Sequence, residues 1–226
     1  RIGRAPQLFG RYADDASPNV TPIIGAAKLT GRLAGGFNLG VLEAVTDRVV
    51  GTADRTTEPR TSFTLLRAQQ DLRKGATSIG VIATGVNRAL DQWTDDFLRR
   101  DAYSAGTNVH HRWGRSRYEI TASLTGSVTR GTPQAMLLTQ QNSVHLYQRP
   151  DGGLPLDSAR TSLSGDAEEV TFGKSGGNLW RFQTSWERQS PGFEVNDLGY
   201  LRRANQQSFN NWMAFTFRKP TRVYRS

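Results

Sequence analysis

"RSRYEITASLTGSVTR", residues 115–130, alternates almost without a fault. Tyr118, Ile120, Ala122, Leu124, Gly126 and Val128 share one parity, and Arg117, Glu119, Thr121, Ser123, Thr125, Ser127 and Thr129 share the other. Successive side chains of a strand point to opposite faces, so this stretch predicts a strand with one apolar and one polar face. A soluble sandwich core favours residues larger than Ala122 and Gly126. The expectation is that the apolar face meets lipid and that the Ser/Thr face lines a wet or plugged interior.

The same reading extends outward as hairpins. "PIIGAAKLTGRL" (22–33) turns at Gly35-Gly36 into "FNLGVLEAVTDRVV" (37–50). "TSFTLLRAQQDL" (61–72) meets "ATSIGVIATGV" (76–86) across Arg73-Lys74-Gly75. "AYSAGTNVHHRW" (102–113) meets the opening strand across Gly114-Arg115-Ser116. "TSLSGDAEEVTFG" (161–173) meets "NLWRFQTSWER" (178–188) across Lys174-Ser175-Gly176-Gly177, and "FNNWMAFTFRK" (209–219) is left without a partner. Each tight connection holds a Gly, which supplies the positive φ that hairpin turns demand. Two of these strands, 61–72 and 161–173, alternate poorly and are assigned from their positions.

The connections between hairpins are long and polar: 51–60, 87–101, 131–159 and 189–207. "ALDQWTDDFLRR" (89–100) and "TPQAMLLTQQ" (132–141) are candidates for a helical turn. Short turns thus alternate with long loops, as on the two rims of an outer-membrane barrel. About 13 residues at ~3.3 Å reach roughly 43 Å, and a tilt of ~40° leaves roughly 33 Å along the membrane normal. Aromatic residues fall near strand ends, at Phe37, Tyr103, Trp113, Tyr118, Trp180, Trp186, Phe215 and Phe217, as interfacial girdles do.

Composition bounds the alternatives. The 226 residues carry a formal charge of +9, 36% hydrophobic residues, a mean hydropathy of -0.55 and no Cys. No disulfide or thiolate metal site is possible. No apolar run approaches the ~18 residues of a membrane helix. The arginines are spread along the chain rather than gathered on one element, which argues against nucleic acid. Nine long strands are expected, an odd and unclosed set, whereas single-chain bacterial barrels use even numbers. The fold expectation is all-β: an antiparallel up-and-down meander of long hairpins, part of a transmembrane outer-membrane β-barrel. Residues 1–226 form one segment of it, with an N-terminal loop over 1–22, hairpins over 23–218 and a long loop over 189–207.

Five stretches resemble one family of large outer-membrane proteins: "RIGR" at Arg1, "PIIGAAKLTGR" at Pro22, "LYQRPD" at Leu146, "TSLSG" at Thr161 and "SPGFEVNDLGYLRRA" at Ser190. The family joins an N-terminal family-9 carbohydrate-binding module to a long C-terminal domain of unknown function, number 5916. Order and spacing also resemble the family, over nearly the whole chain. The resemblance implies a barrel-like domain in the cell envelope. It brings no catalytic residues, and the sugar-binding module is absent from this segment.

Little in the sequence points to catalysis, cofactor or metal. His110 and His111 are adjacent on a predicted strand and point to opposite faces, and His145 is distant in sequence. Asp95-Asp96 and Glu168-Glu169 read as solvated loop or lumen charge. "FGKSGG" lacks the Gly of a phosphate loop, since position 168 is Glu168, and a strand rather than a helix follows. No Ser lies in Gly-x-Ser-x-Gly. Ser190 reads as part of an ordered loop.

The place to look for binding is "PGFEVNDLGYLRRANQQ", with Phe193, Glu194, Asn196, Asp197, Tyr200, Arg202 and Arg203. Long barrel loops fold inward as plugs or outward as receptors, and a plug would pair its charges with lumen arginines. The expected function is an outer-membrane barrel for passage or surface binding of a polar solute or glycan. Its expected partners are lipid, carbohydrate and the remaining strands of the same barrel. The alternative is a soluble antiparallel β domain that binds or cleaves carbohydrate through a Trp or Tyr exposed in a cleft with carboxylates nearby; Trp180, Trp186 and Trp212 facing outward in one continuous apolar band would remove its site.

Overall fold

The hairpin that opens the reading is present at full length. Strands β7 (Asp101–Trp113) and β8 (Tyr118–Arg130) pair antiparallel from Asp101↔Arg130 to Trp113↔Tyr118. This computed structural model describes residues 2–151, 153–177 and 179–217. The other strands are β1 (Ile23–Arg32), β2 (Phe37–Thr46), β3 (Val49–Val50), β4 (Thr56–Glu58), β5 (Thr61–Leu72) and β6 (Thr77–Arg88). They continue as β9 (Ser162–Lys174), β10 (Trp180–Gln189) and β11 (Gln206–Phe215). Two helices join them, α1 (Phe9–Tyr12) and α2 (Pro133–Gln141).

Among the described residues, nine strands form one antiparallel sheet in the order β1-β2-β5-β6-β7-β8-β9-β10-β11. Neighbours in sequence are neighbours in space, so the sheet is a meander. It is open within these residues, with β1 and β11 as its edges. Short turns close β1–β2, β5–β6, β7–β8 and β9–β10 at one rim, and long connections occupy the other. The turns do need positive φ, but Gly does not supply all of it. Arg73 (φ 51), Lys74 (φ 57), Arg115 (φ 60) and Ser116 (φ 60) take left-handed conformations beside Gly75 and Gly114.

Two expectations change. The 209–219 strand has a partner: β11 pairs with β10 over their whole length, joined by the 190–205 loop rather than by a tight turn. Its last positions, 218 and 219, lie outside the described residues. The 51–60 connection carries β4, which forms a small ladder with β3. The 89–100 stretch holds helical turns: the Asp95 amide donates to the Asp91 carbonyl at 3.0 Å and the Leu98 amide to the Thr94 carbonyl at 2.9 Å. The Asp91 side chain accepts from the Trp93 amide and from Thr94 Oγ1, each at 3.0 Å, as an N-cap does. The 132–141 candidate is a helix. Thr132 caps it by accepting from the Ala135 amide at 3.2 Å, and Pro133 occupies the first turn.

Register fixes which residues share a face, because directly opposed residues point the same way. One row runs Phe37–Gln70–Ile79–Val109–Ala122–Val170–Trp186–Phe209. Another runs Leu39–Ala68–Val81–Thr107–Leu124. This apolar face is bare: Leu124 is 51% exposed and Phe209 66%. Toward the turn rim it gathers rings. Trp113 stacks on His111, Tyr118 and Phe172 at 5.6, 5.8 and 5.9 Å, and Phe182 stacks on Trp180 at 5.5 Å. Lys174 Nζ lies 3.9 Å over the Trp180 ring. Charge interrupts this face toward the loop rim, where Glu43 accepts from Thr64 Oγ1 at 2.8 Å and Arg188 pairs with both Asp166 and Glu168.

The opposite face is polar along most of its length, through Lys28, Thr30, Arg67, Gln69, Asn108, Thr121, Ser123 and Gln183. Near the loop rim it turns apolar. There one register row, Ala44–Phe63–Val86–Ala102–Thr129–Leu163, crosses the sheet and is buried. Ile2 and Leu198 pack on Ala44, Phe63, Val86 and Ala102; Met136 and Tyr147 pack on Leu163. The hydrophobic core therefore lies between one end of the polar face and the long connections folded over it.

Candidate functional site

The "SPGFEVNDLGYLRRA" loop crosses this covered end. Ser190 anchors it to β9: its hydroxyl accepts from the Asp166 amide at 2.7 Å and its own amide donates to the Asp166 carbonyl at 2.9 Å. Two glycines permit the crossing. A Cβ on Gly165 would sit 2.2 Å from the Phe193 nitrogen, and one on Gly192 would sit 2.2 Å from the Ser164 carbonyl oxygen. Both collisions involve backbone, so neither position accommodates a side chain without displacing the loop.

The loop then drives two carboxylates into the interior. Asp197 accepts 2.7 Å from Arg88 Nη2 and 2.8 Å from Arg99 Nε. Glu194 lies 3.5 Å from Arg99 Nη1 and 3.0 Å from His145 Nε2. Its second oxygen accepts from the Asn196 amide at 2.6 Å, and its own amide donates to Ser127 Oγ on β8 at 2.9 Å. The His145 and Glu194 side chains are 0% and 1% exposed. Buried charge is tolerated because each carboxylate meets opposite charge and hydrogen-bond donors.

Electrostatics follow from that pairing. Burial pushes the Asp197 carboxyl up, but Arg99 and Arg88 outweigh it, and the net shift is below the usual carboxylate range. Burial likewise raises Glu194, and the His145 bond and Arg99 more than reverse it. Burial lowers Arg99, while Asp197 and Glu194 push it up further than burial takes away. His145 Nδ1 faces the Pro191 carbonyl oxygen at 2.9 Å, which can only accept. Its Nε2 faces Glu194 Oε2, so the ring has an acceptor at each nitrogen.

The predicted site residues thus divide into two groups. Phe193, Glu194 and the Asp197 side chain are buried against the sheet, and Asn196 braces the loop through Leu201, donating 3.1 Å to its carbonyl and accepting 2.7 Å from its amide. Tyr200, Arg202 and Arg203 point away, onto an open cleft of about 620 Å³ shared with Ser143, Glu187, Gln189 and Gln206. Tyr200 is 80% exposed. Among the described residues neither Arg202 nor Arg203 forms an ion pair within the chain. This cleft presents two cations, one carboxylate at Glu187, one aromatic face and amide groups, which suits a polar ligand.

Sequence reasoning missed Arg88, Arg99, Ser127 and His145 as partners of the loop. Arg88 and Asp197 are 109 positions apart, and no local pattern links them. The only available signal was the rule that a carboxylate folded inward must find a cation. His110 and His111 do point to opposite faces: His110 lies 3.6 Å from Glu119 on the polar side, and His111 bonds Thr77 Oγ1 at 2.8 Å on the apolar side. Lys174 and Ser175 of "FGKSGG" precede β10, a strand.

A sequence model of the family described as "Domain of unknown function (DUF5916)" matches residues 1–226, and the chain belongs to that family. Searches of curated proteins and of solved structures gave no match.

Proposed function

We propose that this chain is a segment of a bacterial outer-membrane β-barrel that serves passage or surface binding of a polar solute or glycan. The single observation that carries the reading is the sidedness of the sheet. One face is apolar and bare, with aromatic rings toward the turn rim, and the other is polar, with a charged plug folded over its loop-rim end. A soluble sheet has the reverse arrangement, because a bare apolar face of this extent would associate in water. In a bilayer the same face is solvated by lipid, and its rings suit the interface.

On this reading the 190–205 loop has two roles. Glu194 and Asp197 lock a plug against the sheet, and Tyr200, Arg202 and Arg203 offer the solute-facing surface. The soluble carbohydrate-binding alternative needs a Trp or Tyr exposed in a cleft with carboxylates nearby. By register, Trp180 and Trp186 lie in the apolar band and Trp212, opposite Gln183, lies on the polar face.

The test is extraction and reconstitution of the full-length protein. It should require detergent and fold into lipid vesicles; a soluble monomer in detergent-free buffer would overturn the membrane reading. The cleft is tested with Tyr200→Ala and Arg202→Ala on the folded protein against neutral and anionic glycans. Binding lost with folding intact supports the cleft, and undiminished binding removes it.

A further inference from the structure

The two sheet edges specify what must cover them. Among the described residues β1 and β11 each pair on one side only, so alternate backbone N–H and C=O groups along ten residues of each face outward without a described strand. Such edges do not persist in a membrane, where each unpaired backbone group is costly. Further strands must therefore pair with them.

Direction limits how many. Each of the nine strands is antiparallel to the next, so the first and the ninth run the same way. β1 runs from the long-loop rim to the short turn at 33–36, and β11 runs from the 190–205 loop to the short-turn rim. A direct β11–β1 seam would be parallel. An all-antiparallel closure needs an odd number of strands between them.

A second copy of this segment does not meet the requirement. Related by an axis along the strands, it would again place β11 beside a parallel β1. Turned over to make antiparallel seams, it would put its long loops at the opposite rim. We infer that β1 and β11 are the two seams of a larger barrel, closed by an odd number of additional amphipathic strands from outside the described residues. Each flanking strand places apolar residues level with Leu29 or Phe209 and polar residues level with Lys28 or Asn210. The inference rests on the barrel reading above, but its failure is separable.

The test is hydrogen exchange of the full-length protein in lipid vesicles, with peptides covering Ile23–Arg32 and Gln206–Phe215, joined to a strand count from its structure in a lipid nanodisc. Both edges should exchange on the order of a hundredfold or more slowly than unstructured chain, at every residue and not at alternate ones. The added strands should number one, three or another odd value. Fast exchange at alternate residues in a membrane-embedded protein overturns the inference and spares the membrane reading. So does an even number of added strands, a parallel β11–β1 seam, or a second copy on an edge. A protein that stays in the aqueous phase yet shows both edges paired by an odd set overturns only the membrane reading.

Discussion

Asp197 accepts a 2.7 Å hydrogen bond from Arg88 Nη2, with both side chains almost fully buried. Arg88 ends β6, so this contact ties the loop between β10 and β11 to the middle of the sheet. Replacing Asp197 with Ala leaves Arg88 without its carboxylate and Arg99 with only Glu194. Removing one partner of a buried pair costs about 3–5 kcal/mol. A folding titration into vesicles should show a loss of that order for D197A, and a loss below about 1 kcal/mol would mean the pair is wet in solution.

The same network sets a pH limit. Asp197 and Glu194 both have carboxyls held below their ordinary values. Groups shifted this way add stability that is fully present above the unfolded carboxylate range and lost as pH falls through the lower folded values. Loop 190–205 should therefore resist proteolysis from neutral pH down past about pH 4 and become cleavable only in stronger acid. Release of the loop between about pH 7 and 5 would assign control to another group.

Leu124 and Ser123 are adjacent on β8 and face opposite ways: Leu124 is half-exposed among Val81, Ala105 and Thr107, and Ser123 points to the polar side. Arginine at Leu124 should cost roughly 2–4 kcal/mol in a bilayer, and arginine at Ser123 much less. Vesicle folding titrations of L124R and S123R measure the difference. Equal penalties would mean that both faces are buried alike.

Gly192 crosses β9 at backbone contact distance, with the Ser164 carbonyl oxygen where a Cβ would lie. G192A should lose about 1–3 kcal/mol through the forced shift of the loop. G35A offers a control, because a Cβ at Gly35 would meet open space and pays only the cost of its positive φ (76°). If G192A matched wild type, the crossing would be looser than the structure describes.

The meander was readable from period-two alternation. The Tyr118–Arg130 pattern predicted a strand with one apolar and one polar face, and the four tight turns were located by their glycines. Strands β5 and β9 were harder because both faces carry mixed residues. Phe63 and Leu163 are apolar on the polar face because the long connections cover them there, and Asp166 and Glu168 are charged on the apolar face because Arg188 opposes them. Such exceptions depend on what packs above a position, which alternation along one strand does not encode.

The sequence by itself determined the local geometry: which segments extend, where they turn, and which side chains share a face. These follow from backbone sterics and the two-residue period of a strand, both properties of near neighbours. Only the tertiary structure decided how the 190–205 loop divides. Burial and pairing with Arg88, Arg99 and His145 made Glu194 and Asp197 structural, and the turn of the chain after Asn196 left Tyr200, Arg202 and Arg203 at the open cleft. Those partners lie 49 to 109 positions away, and a contact at that separation is set by the closing of the whole sheet rather than by any stretch of sequence.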